Sequence, residues 1–386
     1  MTPRAPGEPH RVASPLELFF DLVFVVAVSL SSGELHHGEA EGHIGLAVGS
    51  YLAVFFAVWW AWMNFTWFAS AFDTDDWAYR VLTVVQMAGA LVMAAGTPAA
   101  MNESDWLVVT LGYVLMRLAM VAQWLRAAAA SPELRATALR YAGGIAVVQV
   151  LWVLRLLLPD QGGLPAFLLL VVLELAVPPF AERAGRTPWH PHHIAERYSL
   201  FTLIVLGESI LASTTAVVDA VSSGDRLGTL LLVAACGLVL AASMWWVYFA
   251  GDGASRLTSH RRAIALGYGH YVILAAAGAF SAGVSVIVAY DTHAADLAAA
   301  AAAASLTVPV AVFFTATWAL LLRGTVGRGR SALVLVLSVA VGASALLPAS
   351  LPITLPIAAA LAIALVVVVE SGRGVAAVQP GSHTGA

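Results

Sequence analysis

Lysine is absent from the 386 residues, so all 19 basic side chains are arginine, and cysteine occurs once, as Cys236. One cysteine excludes an internal disulfide and any cysteine-based metal cage. Charged residues make up 11% of the chain, against roughly 25% in soluble globular domains, which excludes a water-soluble domain. A formal net charge of −4 with no basic cluster leaves no footprint for nucleic acid. Walker loops, dinucleotide fingerprints, zinc-protease helices and nucleophile elbows are also missing, so no cofactor is expected and an enzyme is not the leading reading.

What is present is apolar: 60% hydrophobic residues and a mean hydropathy of +0.85. About 20 apolar residues cross a hydrocarbon core about 30 Å thick, so the chain has room for about twelve spans. Apolar windows fall near 15–32, 44–69, 78–97, 105–127, 137–158, 164–181, 196–218, 227–250, 262–290, 296–322, 331–349 and 352–370. The fold expected is an all-α polytopic membrane protein of about twelve helices in two six-helix halves. Residues 1–14 form an N-terminal segment and 15–182 the first half. A polar linker over 183–195 precedes the second half, 196–370, and 371–386 reads as a disordered tail. The first window carries Glu17 and Asp21, which a signal-peptide core tolerates poorly, so it reads as a retained helix.

Arginine placement tests this count, because short cytoplasmic loops collect positive charge. Arg117 and Arg155 lie inside spans and Arg226 in an opposite loop, which leaves 16 of the 19 on the N-terminal side. Both termini are therefore expected in the cytoplasm. The halves also echo each other. Trp59-Trp60 and Trp245-Trp246 each sit in the second helix of a half and are each followed by an acidic loop residue, Asp73 or Asp252.

Ionisable groups at membrane depth are the informative residues, because a charge near the bilayer centre costs at least about 2.5–3.5 kcal/mol unless it finds water or a partner. Glu17 and Asp21 share one side of helix 1, and Asp21 lies about 9 Å along it. Glu208 lies about 18 Å along helix 7, near the midplane, and the adjacent Gly207 and Ser209 permit close approach. Arg117 cannot lose its proton and has Glu174 as its nearest match in depth. That pair is either a brace that fixes helix packing or part of an ion path. Arg155 is placed to snorkel outward. His270, alone in helix 9, either titrates in a path or is a satisfied core imidazole. The outer segment His36-His37-Gly38-Glu39-Ala40-Glu41-Gly42-His43 and the trio His190, His192 and His193 have metal-ligand chemistry, but solvated loop histidines are the commoner case, and no metal is expected.

Ser14-Pro-Leu-Glu-Leu-Phe-Phe-Asp-Leu-Val-Phe-Val (to Val25) and Glu196-Arg-Tyr-Ser-Leu-Phe-Thr-Leu-Ile-Val-Leu-Gly-Glu-Ser-Ile (to Ile210) resemble the bacterial low temperature requirement A (LtrA) family in order and separation. The resemblance runs from about residue 10 to 370. It makes Glu17, Phe19, Phe20, Asp21, Glu196, Arg197, Gly207, Glu208 and Ser209 motif positions. It implies a multi-pass protein of the bacterial cell membrane named for a cold-growth phenotype, and supplies no mechanism. A thinner likeness joins Phe19-Phe20-Asp21 and Arg197-x3-Phe201 to the Arg-x3-Phe-Ser-Asp opening of a lysosomal potassium channel family; each segment keeps only part of that motif.

The leading expectation is a transporter or channel-like protein with a proton or monovalent cation as its passenger. Asp21, Glu208, Glu17 and His270 would line the path, and Arg117 with Glu174 would brace it. The alternatives are a non-transporting scaffold or cold-adaptation protein in the bilayer and, third, a lipid-active enzyme.

Overall fold

With no water in the hydrocarbon core to satisfy backbone N–H and C=O groups, each apolar run must close its hydrogen bonds within itself. A computed structural model, which describes residues 2–4, 12–222 and 227–376, shows that outcome. Twelve long helices follow one another among the described residues: α1 (Pro15–Ala40), α2 (Ile44–Ala71), α3 (Trp77–Asn102), α4 (Leu107–Ala130), α5 (Arg135–Arg155), α6 (Gly163–Ala181), α7 (Pro191–Ser222), α8 (Leu227–Phe249), α9 (His260–Asp291), α10 (Ala299–Thr317), α11 (Arg328–Ala343) and α12 (Leu351–Ala376). Eleven of these segments are long and apolar enough to cross a membrane, and α7, at 32 residues, is the remaining long helix. The protein is an all-α polytopic membrane protein.

Local chemistry sets the helix ends. Ser14 and Glu17 form a reciprocal capping pair at α1: Ser14 N–H donates to Glu17 Oε2 at 2.8 Å, and Glu17 N–H donates to Ser14 Oγ at 3.3 Å. Asp76 caps α3 by accepting from Tyr79 N–H at 2.8 Å. No proline interrupts 33–40, and α1 continues across Gly33 and Gly38 through the segment read from sequence as an outer loop. It ends at Ala40, just before Gly42, whose φ of +81° suits glycine. Likewise α7 begins at Pro191, inside the expected linker, because a proline at the first turn has no N–H to leave unsatisfied. At the other end α12 runs to Ala376, and 377–386 lie outside the described residues.

By contacts the chain divides into two units. One comprises 1–34 and 45–204, the other 35–44 and 205–386. In the first, α2 forms an aromatic core in which Phe55, Trp59, Trp60, Trp62, Phe65 and Phe68 are all buried. Helices α3 and α4 cross closely there: a Cβ on Gly89 would stand 2.8 Å from the carbonyl oxygen of Gly112, and one on Gly112 would stand 2.7 Å from that of Gly89. Small residues at such crossings replace the hydrophobic drive that lipid removes. In the second unit the corresponding crossing of α9 and α10 sets Gly283 against the backbone of Ser305 and Leu306.

The tryptophan pairs recur with a difference. Trp60 on α2 donates its indole N–H to Glu174 on α6, and Trp246 on α8 donates to Glu370 on α12, both at 2.9 Å. The first contact is buried, whereas Trp246 is 47% exposed.

Candidate functional site

Asp21 projects from the second turn of α1 and has no exposed surface. Its Oδ1 accepts from Arg197 Nη2 on α7 at 2.6 Å and from the Trp62 indole N–H on α2 at 2.6 Å. Its Oδ2 has no hydrogen-bond partner among the described residues, and neither does Arg197 Nε. One turn nearer the start of α1, Glu17 Oε1 lies 3.8 Å from Arg197 Nη1 and 3.1 Å from His193 Nε2. Glu17, Asp21, His193 and Arg197 are thus gathered at the starts of α1 and α7, all buried.

The sequence builds this cluster with ordinary helix geometry. Glu17 and Asp21 are four positions apart on α1, as are His193 and Arg197 on α7, so each pair faces one way. Trp62 closes the cluster from α2: its ring stacks on Phe201 at 4.4 Å, meets Tyr198 edge-on at 5.0 Å and stands 6.0 Å from the Arg197 guanidinium carbon. Phe20, fully buried, stacks on Phe24 at 4.4 Å and on Phe65 at 4.0 Å, and so fixes the rotation of α1. Phe19 points outward, 54% exposed.

A second buried cluster surrounds Glu174. Its Oε2 accepts from Arg117 Nη2 at 2.9 Å and from the Trp60 indole at 2.9 Å; its Oε1 accepts from the Tyr113 hydroxyl at 2.7 Å and from Gln149 Nε2 at 2.8 Å. The donors come from α2, α4 and α5. Four donors give both carboxylate oxygens two bonds each, the arrangement that stabilises a buried charge.

The remaining sequence-derived residues lie elsewhere. Glu208 is half-buried on α7 and belongs to the second unit. Beside it, Ser209 Oγ donates to the carbonyls of Val205 (3.0 Å) and Ala277 (3.2 Å). Gly207 is exposed, and a Cβ there would meet nothing within 4 Å, so no described neighbour uses the space it leaves. Glu196 is half-buried. His270 is buried in the second unit with Nδ1 2.7 Å from the carbonyl of Leu266. A carbonyl only accepts, so Nδ1 carries the proton and Nε2 accepts from the Tyr248 hydroxyl at 3.0 Å. Both ring nitrogens are committed. Among the described residues no group of three or more His, Cys, Asp or Glu side chains stands together as a metal set.

Sequence reasoning missed Trp62, Tyr113 and Gln149; it singled out Trp60 only as part of a tryptophan pair and His193 only for its metal-ligand chemistry, and it did not bring Arg197 to Asp21. The spacing of His193 and Arg197 beside the motif at 196–210 was the available signal. Their partner on α1 is 176 positions away from Arg197 and leaves no local pattern.

Comparison with known proteins adds the following. A family model described as Bacterial low temperature requirement A protein (LtrA) matches residues 12–369. Over 261 residues the chain is 31% identical to a protein of Rhizobium meliloti (strain 1021) described as uncharacterized. That similarity covers 63% of this chain and 59% of the relative's length.

Proposed function

The chain belongs to the bacterial low temperature requirement A family, and from that membership and the buried cluster at α1 and α7 we propose a cell-membrane protein that moves a proton or a monovalent cation. Asp21 is the group that takes up and releases the passenger. The observation that carries this reading is the asymmetry of Asp21: one oxygen is held by Arg197 and Trp62, while the other is buried without a hydrogen-bond partner among the described residues. An ionisable group held inside a membrane bundle is a functional-site candidate by default. Glu17 and His193, one turn nearer the helix starts, are exchangeable groups through which a proton reaches Asp21. The arginine bias supports a cytoplasmic position for that end.

Purified protein in liposomes carrying a pH-sensitive dye, driven by a potassium or proton gradient, tests the proposal. Flux is expected from the wild type, with a loss of at least about tenfold in Asp21→Asn, the size of one charge-assisted interaction. Flux in Asp21→Asn equal to wild type would remove Asp21 from the mechanism. Absence of proton, sodium and potassium flux in the wild type would overturn the class.

One observation favours a non-transporting scaffold instead: the carboxylate of Glu174, bonded by four donors, has no capacity left for a passenger. In the transport reading that cluster is the brace, and it ties α2, the helix that carries Asp21's neighbour Trp62, to α4, α5 and α6.

A further inference from the structure

Arg155, the last residue of α5, takes part in neither carboxylate cluster. Its position near a helix end predicts that it snorkels, yet it is 5% exposed. Three rings surround it: the guanidinium carbon lies 5.6 Å from the ring centre of Trp106, 5.7 Å from that of Trp152 and 5.5 Å from that of Phe167. Ring faces compensate a desolvated cation in part. They do not satisfy its N–H groups, which point outward in the guanidinium plane. Among the described residues, Arg155 Nε and Nη1 are buried without a hydrogen-bond partner, as is the indole Nε1 of Trp152. Asp105, adjacent to Trp106, and Asp160, five positions after Arg155, form no ion pair with Arg155, and Asp105 instead accepts from Leu107 N–H at 3.0 Å.

Every unsatisfied atom named in this cage is a donor, so the missing group is an acceptor. Buried donors without partners are rare enough to point to an absent ligand or water. The charge of Arg155 selects an anion, and its planar fork fits a phosphate through two parallel bonds. The cage stands at the end of α5 beside two tryptophans, side chains that favour the headgroup level of a bilayer. The phosphate abundant at that depth is that of a phospholipid.

We propose that Arg155 and the Trp152 indole form a phosphate site for an anionic lipid at the end of the first unit where α5 terminates and α4 and α6 begin. The site stands apart from the transport reading and survives if that reading fails. It ties lipid composition to the helices that carry the Glu174 cluster.

Full-length protein in mild detergent, supplemented with phosphatidylglycerol or phosphatidylcholine, tests this by native mass spectrometry and thermal unfolding. The wild type is expected to retain phosphatidylglycerol over phosphatidylcholine and to melt higher with it. Arg155→Gln is expected to lower that retention at least about tenfold, the size of a hydrogen bond to a charged group, while melting as the wild type does in phosphatidylcholine. Trp152→Phe keeps the ring, loses one donor and is expected to weaken retention to a smaller extent; it carries the test if Arg155→Gln does not fold. Displacement of the lipid by inorganic phosphate supports the anion site and makes free phosphate a competing source. Equal retention of the two lipids by the wild type, or unchanged preference in the folded variants, overturns the proposal.

Discussion

Arg197 Nη2 lies 2.6 Å from Asp21 Oδ1, and neither side chain reaches the surface. Removing one member of such a pair strands a buried charge, which costs about 3–5 kcal/mol, whereas removing both can be close to neutral. Asp21→Asn and Arg197→Gln are therefore each expected to lower stability in detergent by that order, and the double variant by clearly less than their sum. Thermal or denaturant unfolding of the four proteins forms the cycle, and additive losses would show that the contact carries no coupling.

Trp62→Phe separates the polar handle of Trp62 from its packing. The phenyl ring keeps a stacking surface for Phe201 but gives no N–H to Asp21, so about 1.5–3 kcal/mol of stability is expected to go, with the transport pH profile displaced if Asp21 is the exchanging group. Unfolding and liposome flux measured across pH check both parts. An unmoved profile in a folded, transporting protein would detach Trp62 from the mechanism.

Glu174 is expected to act through stability alone. Glu174→Gln removes the counter-charge of Arg117 in a site without exposed surface, with a loss of about 3–5 kcal/mol. Flux per folded molecule should persist. A folded Glu174→Gln protein without flux would move this carboxylate into the path.

Outside the membrane, Asp76 caps α3, and the Tyr79 backbone N–H, together with Arg126, holds its carboxyl below the usual carboxylate range. A carboxyl whose pKa is lower folded than unfolded contributes stability at neutral pH and loses it as pH falls through that lowered range. Asp76→Ala is expected to cost about 1 kcal/mol at neutral pH and to narrow the gap from wild type on acidification. Unfolding at stepped pH measures the gap, and a gap that widens in acid would contradict the capping role.

Much of the fold is legible in the sequence because hydrophobic run length is a local property. The twelve windows correspond to α1 through α12, and the errors fall at ends, where the run says little. At 33–40 Gly33, Gly38 and the polar residues His36, His37 and Glu39 look like a loop, yet no proline stops the helix there, and α1 goes on to Ala40. The site was half legible. Glu17, Asp21, Arg117 and Glu174 stand out as charges where charge is costly, whereas Trp60, Trp62 and Gln149 look like ordinary interior residues until their N–H groups are seen to meet carboxylates.

By itself the sequence determined that this is a chain of apolar helices that places few charges at membrane depth, because a bilayer imposes helix closure on any long run of apolar residues. Which charge meets which was decided by tertiary structure. Asp21 meets Arg197 across 176 positions, and Glu174 draws its donors from α2, α4 and α5, because side-to-side helix packing brings together residues that no periodicity along the chain relates.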